Sequence, residues 1–243
     1  MFGRSSLQEI LGDQWAAAQR LEAAWLESTV FLNRGDHFVV RALPIEAQLA
    51  PAFGLCAQDF DGDGREDLFL SQNFFCAQPD TPRYDGGRGL LLRGDGRGGF
   101  AAVPGQDSGF TIYGEQRGAA AGDFDHDGRV DLLVSQNGAE TKLYRNASAR
   151  PGLRVRLIGT TGNADGVGAA LRLMSGDQAG PVREIHAGSG YWSQDGTVQV
   201  MSLANHPKKL QVRWPGGSTT TAEVPGDARE VAMDPSGKLT LVR

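Results

Sequence analysis

Asp59 to Asn73 reads DFDGDGREDLFLSQN, and Asp123 to Asn137 reads DFDHDGRVDLLVSQN. Eleven of the fifteen positions are identical, at an offset of 123 − 59 = 64 residues. Small residues precede each copy, Gly54-Leu55-Cys56-Ala57 in one and Gly118-Ala119-Ala120-Ala121 in the other. A leucine-rich strand and a turn follow each, at Leu90-Leu91-Leu92-Arg93 and at Leu143-Tyr144-Arg145-Asn146. Self-similarity at a fixed spacing marks a repeat architecture, and a unit of this length suits a four-stranded β-propeller blade. The small residues suit an innermost strand, where neighbouring blades crowd one another.

Within each copy, carboxylates fall on alternate positions of a nine-residue loop. Asp59, Asp61, Asp63 and Asp67 supply positions 1, 3, 5 and 9 of the first, with the Arg65 carbonyl at position 7. Asp123, Asp125, Asp127 and Asp131 do the same in the second, with the Arg129 carbonyl. Calcium takes six to eight oxygen ligands at about 2.3–2.6 Å, and four crowded carboxylates repel one another unless a cation neutralises them. The pattern therefore predicts two Ca2+ sites. Gly64 and Gly128 stand where the backbone must turn sharply, and the exchange of Gly62 for His126 at position 4 indicates a side chain pointing away from the ion. An EF-hand is excluded, because position 12 is Leu70 or Val134 rather than glutamate and both flanks read as strands.

The rest of the chain reads as β-structure with one exception. Residues 6 to 27 carry a capping box, Ser6 with Glu9, and an apolar stripe of Leu7, Ile10, Leu11, Trp15, Ala18, Leu21 and Trp25. This predicts a helix docked on the remainder of the chain. Strand–turn–strand patterns follow at 29–40 and 89–103. Pro151-Gly152 marks a boundary. Beyond it, alternating segments such as Leu153-Arg154-Val155-Arg156-Leu157 and Leu210-Gln211-Val212-Arg213-Trp214 predict a second, small β domain. The division is 1–28, an N-terminal amphipathic helix; 29–150, the repeat region; and 151–243. With 34 glycines in 243 residues, well above the usual ~7%, the fold class is all-β.

Other function classes fare poorly. A net charge of −5 with no Lys/Arg cluster argues against nucleic acid, and no apolar run approaches the ~18 residues of a membrane span. Gly94-Asp95-Gly96-Arg97-Gly98-Gly99 matches a dinucleotide fingerprint in form but lacks a following helix. The two Arg-Gly-Asp tripeptides, at 34–36 and 93–95, occupy equivalent turns. Asn146-Ala147-Ser148 is a glycosylation sequon. No nucleophile–base–orienter set assembles from the sequence, so no enzyme is expected. Cys56 and Cys76 read either as a disulfide or as two buried thiols. Tyr191 and Trp192, flanked by glycines, read in two ways: one ring packs while the other lines a groove with Trp214 as its second wall, or both are buried around a bulge at Gly190.

The DxDxDGxxD loops between strands resemble FG-GAP/VCBS repeats, the blades of integrin-α-like propellers. The C-terminal part is similar to an ASPIC/UnbV domain in three segments: Gly162 to Ala169, Ala187 to Gln194, and Val212-Arg213-Trp214-Pro215-Gly216-Gly217. The pairing is similar to that of cartilage acidic protein-like proteins. This resemblance implies a partial β-propeller followed by a small β domain, calcium in the blade loops, an extracytoplasmic or secreted location, and binding or adhesion to a protein or glycan without catalysis. An accessory C-terminal region of a larger secreted enzyme is the other reading. No secretory signal is visible at Met1-Phe2-Gly3-Arg4.

Overall fold

The computed structural model describes residues 2–75, 78–204 and 206–242. Cys76 lies outside these, and Cys56 is a buried thiol.

The N-terminal helix is much shorter than the stripe predicts. α1 spans Leu7–Leu11, capped as expected: the Ser6 hydroxyl accepts from the Glu9 amide at 3.3 Å and the Glu9 carboxylate accepts from the Ser6 amide at 2.7 Å. Gly12, at φ +50°, ends it, and a 3₁₀ stretch runs over Gly12–Ala17. Neither element buries a residue. Leu21, Trp25 and Leu26 are exposed, and the Trp25 ring meets that of Phe31 edge-on, with centroids 5.8 Å apart. The apolar stripe finds no surface to dock on, and a helix of this length is marginal without tertiary support.

Every other major element is a strand. β1 (Thr29–Asn33) and β2 (Phe38–Ala42) form a hairpin. β3 (Ala52–Gln58), β4 (Asp67–Gln72), β5 (Leu90–Gly94) and β6 (Phe100–Val103) form a four-stranded antiparallel meander. The Gly94–Gly99 segment is simply the β5–β6 turn, closed by the Asp95 amide on the Gly99 carbonyl at 3.0 Å. β7 (Glu115–Gly122), β8 (Asp131–Asn137) and β9 (Ala139–Tyr144) form a second meander, with three strands. The first repeat unit thus has the expected four strands, and the second has three among the described residues.

The two meanders stand side by side through their first strands. A Cβ at Gly54 of β3 would lie 2.7 Å from the Arg117 carbonyl and 2.8 Å from the Ala119 amide of β7. The Ser71 hydroxyl secures the contact, accepting from the Gly54 amide at 2.6 Å and donating to the Arg117 carbonyl at 2.5 Å. This close approach explains why small residues precede each aspartate loop. Phe69, Phe110 and Leu132 fill the core between the meanders.

The C-terminal part runs through β10 (Leu153–Leu157), β11 (Ala170–Ser175), β12 (Gln178–Ala179), β13 (Arg183–Glu184) and β14 (Gln199–Met201). It continues through β15 (Lys209–Arg213), β16 (Thr219–Glu223), β17 (Glu230–Met233) and β18 (Leu239–Leu241). One sheet has the order β14-β10-β17-β18, with β10 and β17 parallel. The other has the order β12-β11-β15-β16, with β13 also on β11. Leu153, Val155, Leu157, Leu210, Val212 and Trp214 meet in their shared core, as the alternation predicts. Arg154 departs from that alternation: it points away from this core yet is buried beneath the second aspartate loop.

Candidate metal sites and the surface that joins the domains

Each aspartate loop closes the turn between the first and second strands of its meander. The first and last aspartates are tethered by backbone amides. In loop 1 (residues 59–67), Asp59 accepts from the amides of Gly62 at 2.8 Å, Asp63 at 3.0 Å and Gly64 at 2.8 Å. Asp67 accepts from Phe60 at 3.0 Å and from Gly94 at 2.9 Å. In loop 2 (residues 123–131), Asp123 accepts from Asp127 at 3.1 Å and Gly128 at 2.8 Å, and Asp131 from Phe124 at 3.0 Å and Asn146 at 2.7 Å. Gly64 and Gly128 sit at φ +90° and +82°, the left-handed turn that the sequence requires of them. His126 adopts φ +64° at the position where loop 1 has Gly62.

Three carboxylates converge in each loop. Oxygens of Asp59, Asp61 and Asp67 lie within 4.8 Å of one another, and so do those of Asp123, Asp125 and Asp131. The donor set is all oxygen, which fits a hard cation such as calcium and offers no imidazole or thiolate to a softer metal. Asp63 and Asp127 do not join these groups. Asp63 meets the Arg65 guanidinium, with Nε at 2.9 Å, and Asp127 meets Arg129 at 2.9 Å and Arg145 at 3.1 Å.

Burial, with the crowding of like charges adding to it, shows in the acidities. Burial, with Asp61 and Asp59 nearby, pushes the Asp67 carboxyl up to about 6 against its two amide bonds. Burial likewise raises Asp59 and Asp131. Asp125 moves the other way, because the Arg145 guanidinium bonds it.

Sequence reasoning missed the side chains that tie the loops to the rest of the molecule. Arg154, 3% exposed, bridges Asp123 and Glu230, with its Nε 2.9 Å from the glutamate. Arg183 of β13 reaches the Gln58 side chain and lies 3.0 Å from Glu66. The glycine-rich segment around Gly188–Gly196 docks on β7. Asp195 accepts from the Ala121 amide at 2.7 Å, the Gly196 amide donates to the Ala121 carbonyl at 2.8 Å, and a Cβ at Gly118 would lie 2.8 Å from the Tyr191 carbonyl. The Tyr191 ring packs edge-on against Phe53 at 5.8 Å. Trp192 is 93% exposed at φ +49°. Trp214 is no groove wall: it is buried, and its indole N–H donates to Thr220 at 2.7 Å, since its alternation on β15 carries it into the core.

Family comparison agrees with this division of the chain. Residues 59–134 match the FG-GAP-like repeat model, a span that runs from the first aspartate of loop 1 past the last of loop 2. Residues 159–237 match the ASPIC and UnbV model, which takes in the glycine-rich segment docked on β7. The chain is therefore an all-β protein in which an FG-GAP-like repeat region precedes an ASPIC/UnbV domain. No curated protein matches it. Among the described residues no helix is long and apolar enough to cross a membrane.

Proposed function

We propose that this chain is a calcium-stabilised binding module of propeller-blade type, acting outside the cytoplasm on a protein or glycan partner and carrying no catalysis of its own. The convergence of three tethered carboxylates in each of two loops supports it most directly. Amide bonds hold Asp59, Asp67, Asp123 and Asp131 in place, so an ion meets ligands already gathered. The all-carboxylate donor set holds a hard cation and pairs no nucleophile with a base. The FG-GAP-like and ASPIC/UnbV matches fit an adhesion-type module. Calorimetry of the chelated protein titrated with calcium tests the reading. Two binding events are expected, in the ~10⁻⁴–10⁻³ M range of extracellular modules. The absence of heat at millimolar calcium overturns it.

A further inference from the structure

We infer that the two aspartate loops, nearly identical in sequence, are unequal cation sites, and that Arg154 makes them so. The inference rests on the calcium reading above and concerns what this chain's own residues do to it. Carboxylates at positions 1, 3 and 9 converge in both loops, so any inequality must come from the charges around them.

Most of those charges are exposed. In loop 1, Arg93 lies 3.1 Å from Asp61 and Arg65 meets Asp63, and both guanidinium side chains are half exposed or more. In loop 2, Arg145 on Asp125 and Asp127 is equally exposed, and Arg129, less exposed, meets Asp127, which stands outside the converging three. An arriving cation displaces such side chains into water at little cost. Arg154 is different. It is enclosed on β10 between the Asp123 side chain, which is fully buried, and Glu230, 6% exposed. It cannot leave without taking from the buried Asp123 its one guanidinium partner among the described residues, and from Glu230 the nearer of two, the other being Arg156 at 3.5 Å.

Among the described residues, loop 1 has no counterpart to it on Asp59. Asp59 accepts only backbone amides. The neighbouring position 66 is a glutamate, which Arg183 meets at 3.0 Å, where loop 2 has Val130. Asp59 therefore gives its charge wholly to an ion, whereas Asp123 shares its charge with a fixed guanidinium. Repulsion between that guanidinium and a divalent ion lowers the affinity of loop 2. By reciprocity, an ion in loop 2 weakens the Asp123–Arg154–Glu230 bridge, which joins the repeat to the C-terminal domain.

Calcium calorimetry on the full chain and its variants tests this. The wild type should show two events whose dissociation constants differ about tenfold or more, the scale of one fixed charge at a partly buried site. Asp61→Asn should remove the tighter event and Asp125→Asn the weaker one. Arg154→Gln should tighten loop 2 and narrow the gap, while Arg154→Lys, which keeps the charge, should preserve it. Should Arg154→Gln not fold, Glu230→Gln replaces it: with Arg154 left wholly to Asp123, loop 2 should weaken further and loop 1 stay unchanged. Equal affinities in the wild type, loss of the tighter event in Asp125→Asn, or an unchanged ratio in Glu230→Gln overturns the inference and leaves the calcium reading standing. No binding in either loop overturns both.

Discussion

Asn146 reaches from the second meander to Phe60 in the first: its side-chain amide donates to the Phe60 carbonyl at 2.8 Å and to the Val130 carbonyl at 3.1 Å. Both protons of one amide are thus spent on carbonyls from the two aspartate loops. Asn146→Ala takes the side-chain partner from both carbonyls and also from the Ser148 and Ala149 amides, which donate to Oδ1 at 3.3 and 3.1 Å. At about 1 kcal/mol for each lost bond, the cost is at least about 2 kcal/mol for the two carbonyls alone, or ~4–8 °C or more in melting temperature for a chain of this size. Differential scanning calorimetry checks it, and an unchanged melt would show the contact to be dispensable. A glycan on this sequon nitrogen should destabilise in the same sense, because the modified amide keeps only one proton.

Gly62 and His126 hold the same loop position but meet different surroundings. A Cβ at Gly62 would stand 2.5 Å from the Arg150 carbonyl, at φ +76°. Gly62→Ala should therefore cost about 1–3 kcal/mol through strain and displaced backbone. His126→Gly should be neutral or stabilising, since it relieves a left-handed non-glycine residue. Urea unfolding of both variants compares them directly. Equal destabilisation would contradict the assignment.

Glu115 should contribute strongly to the acid limb of stability. Burial alone would push its carboxyl up, but the Phe75 amide, the Asn137 side chain and the Arg117 guanidinium outweigh that and hold it at about 2, against an ordinary 4.5. The folded value lies below the unfolded one. Its stabilisation is therefore fully present above pH ~4.5 and lost as the pH falls towards ~2. The depression corresponds to about 3 kcal/mol at neutral pH. Glu115→Gln should lower stability at pH 7 and flatten the decline between pH 4.5 and 2. A parallel decline in both proteins would assign the acid limb to other groups.

Calcium should stabilise the fold rather than switch it, because the loops close hairpins whose strands are paired along their length. Ligand at about 100 times its dissociation constant adds ~2.7 kcal/mol per site. Chelation should lower the melting temperature with little change in far-ultraviolet circular dichroism at 20 °C. Coincident melts with and without calcium would count against it.

Trp192 is expected to be energetically idle in the isolated chain. It is solvent-exposed and pays for a left-handed backbone, so Trp192→Gly should leave the melting temperature unchanged or raise it slightly. Acrylamide should quench Trp192 and spare Trp214. Shielding of both indoles would contradict the structure.

The aspartate loops were legible because their signal is local. The spacing of Asp59, Asp61 and Asp67 and the glycine at position 64 are conditions on nine consecutive residues, and repetition removes coincidence. The sequence could not tell that Asp63 turns to Arg65, because a carboxylate two residues from a guanidinium can face either a metal ion or that guanidinium. Leu7 to Trp25 misled for a different reason. A helical stripe reports what a segment could bury, and here nothing receives it. Arg154, Arg183 and Asn146 were invisible because their partners Asp123, Gln58 and Phe60 lie 31, 125 and 86 residues away. Arg154 even satisfied a polar-outward alternation, since a strand pattern says which face a residue takes and not what later covers that face.

The glycine at 118 faces the Tyr191 carbonyl in the place where its counterpart, Gly54, faces β7. The C-terminal domain thus supplies an end-stop to the row of meanders, presenting a loop where a further unit would present its first strand. A row built this way has a free variable and a fixed boundary. An extra 64-residue copy inserted after the second would bring its own glycine to receive the loop, and would release Gly118 to face the newcomer. The terminal domain also reaches back to the first meander, through Arg183 on Gln58 and Glu66 and through Tyr191 on Phe53, so lengthening the row would part those contacts, whereas removing that domain lays bare a small-residue strand shaped for close contact.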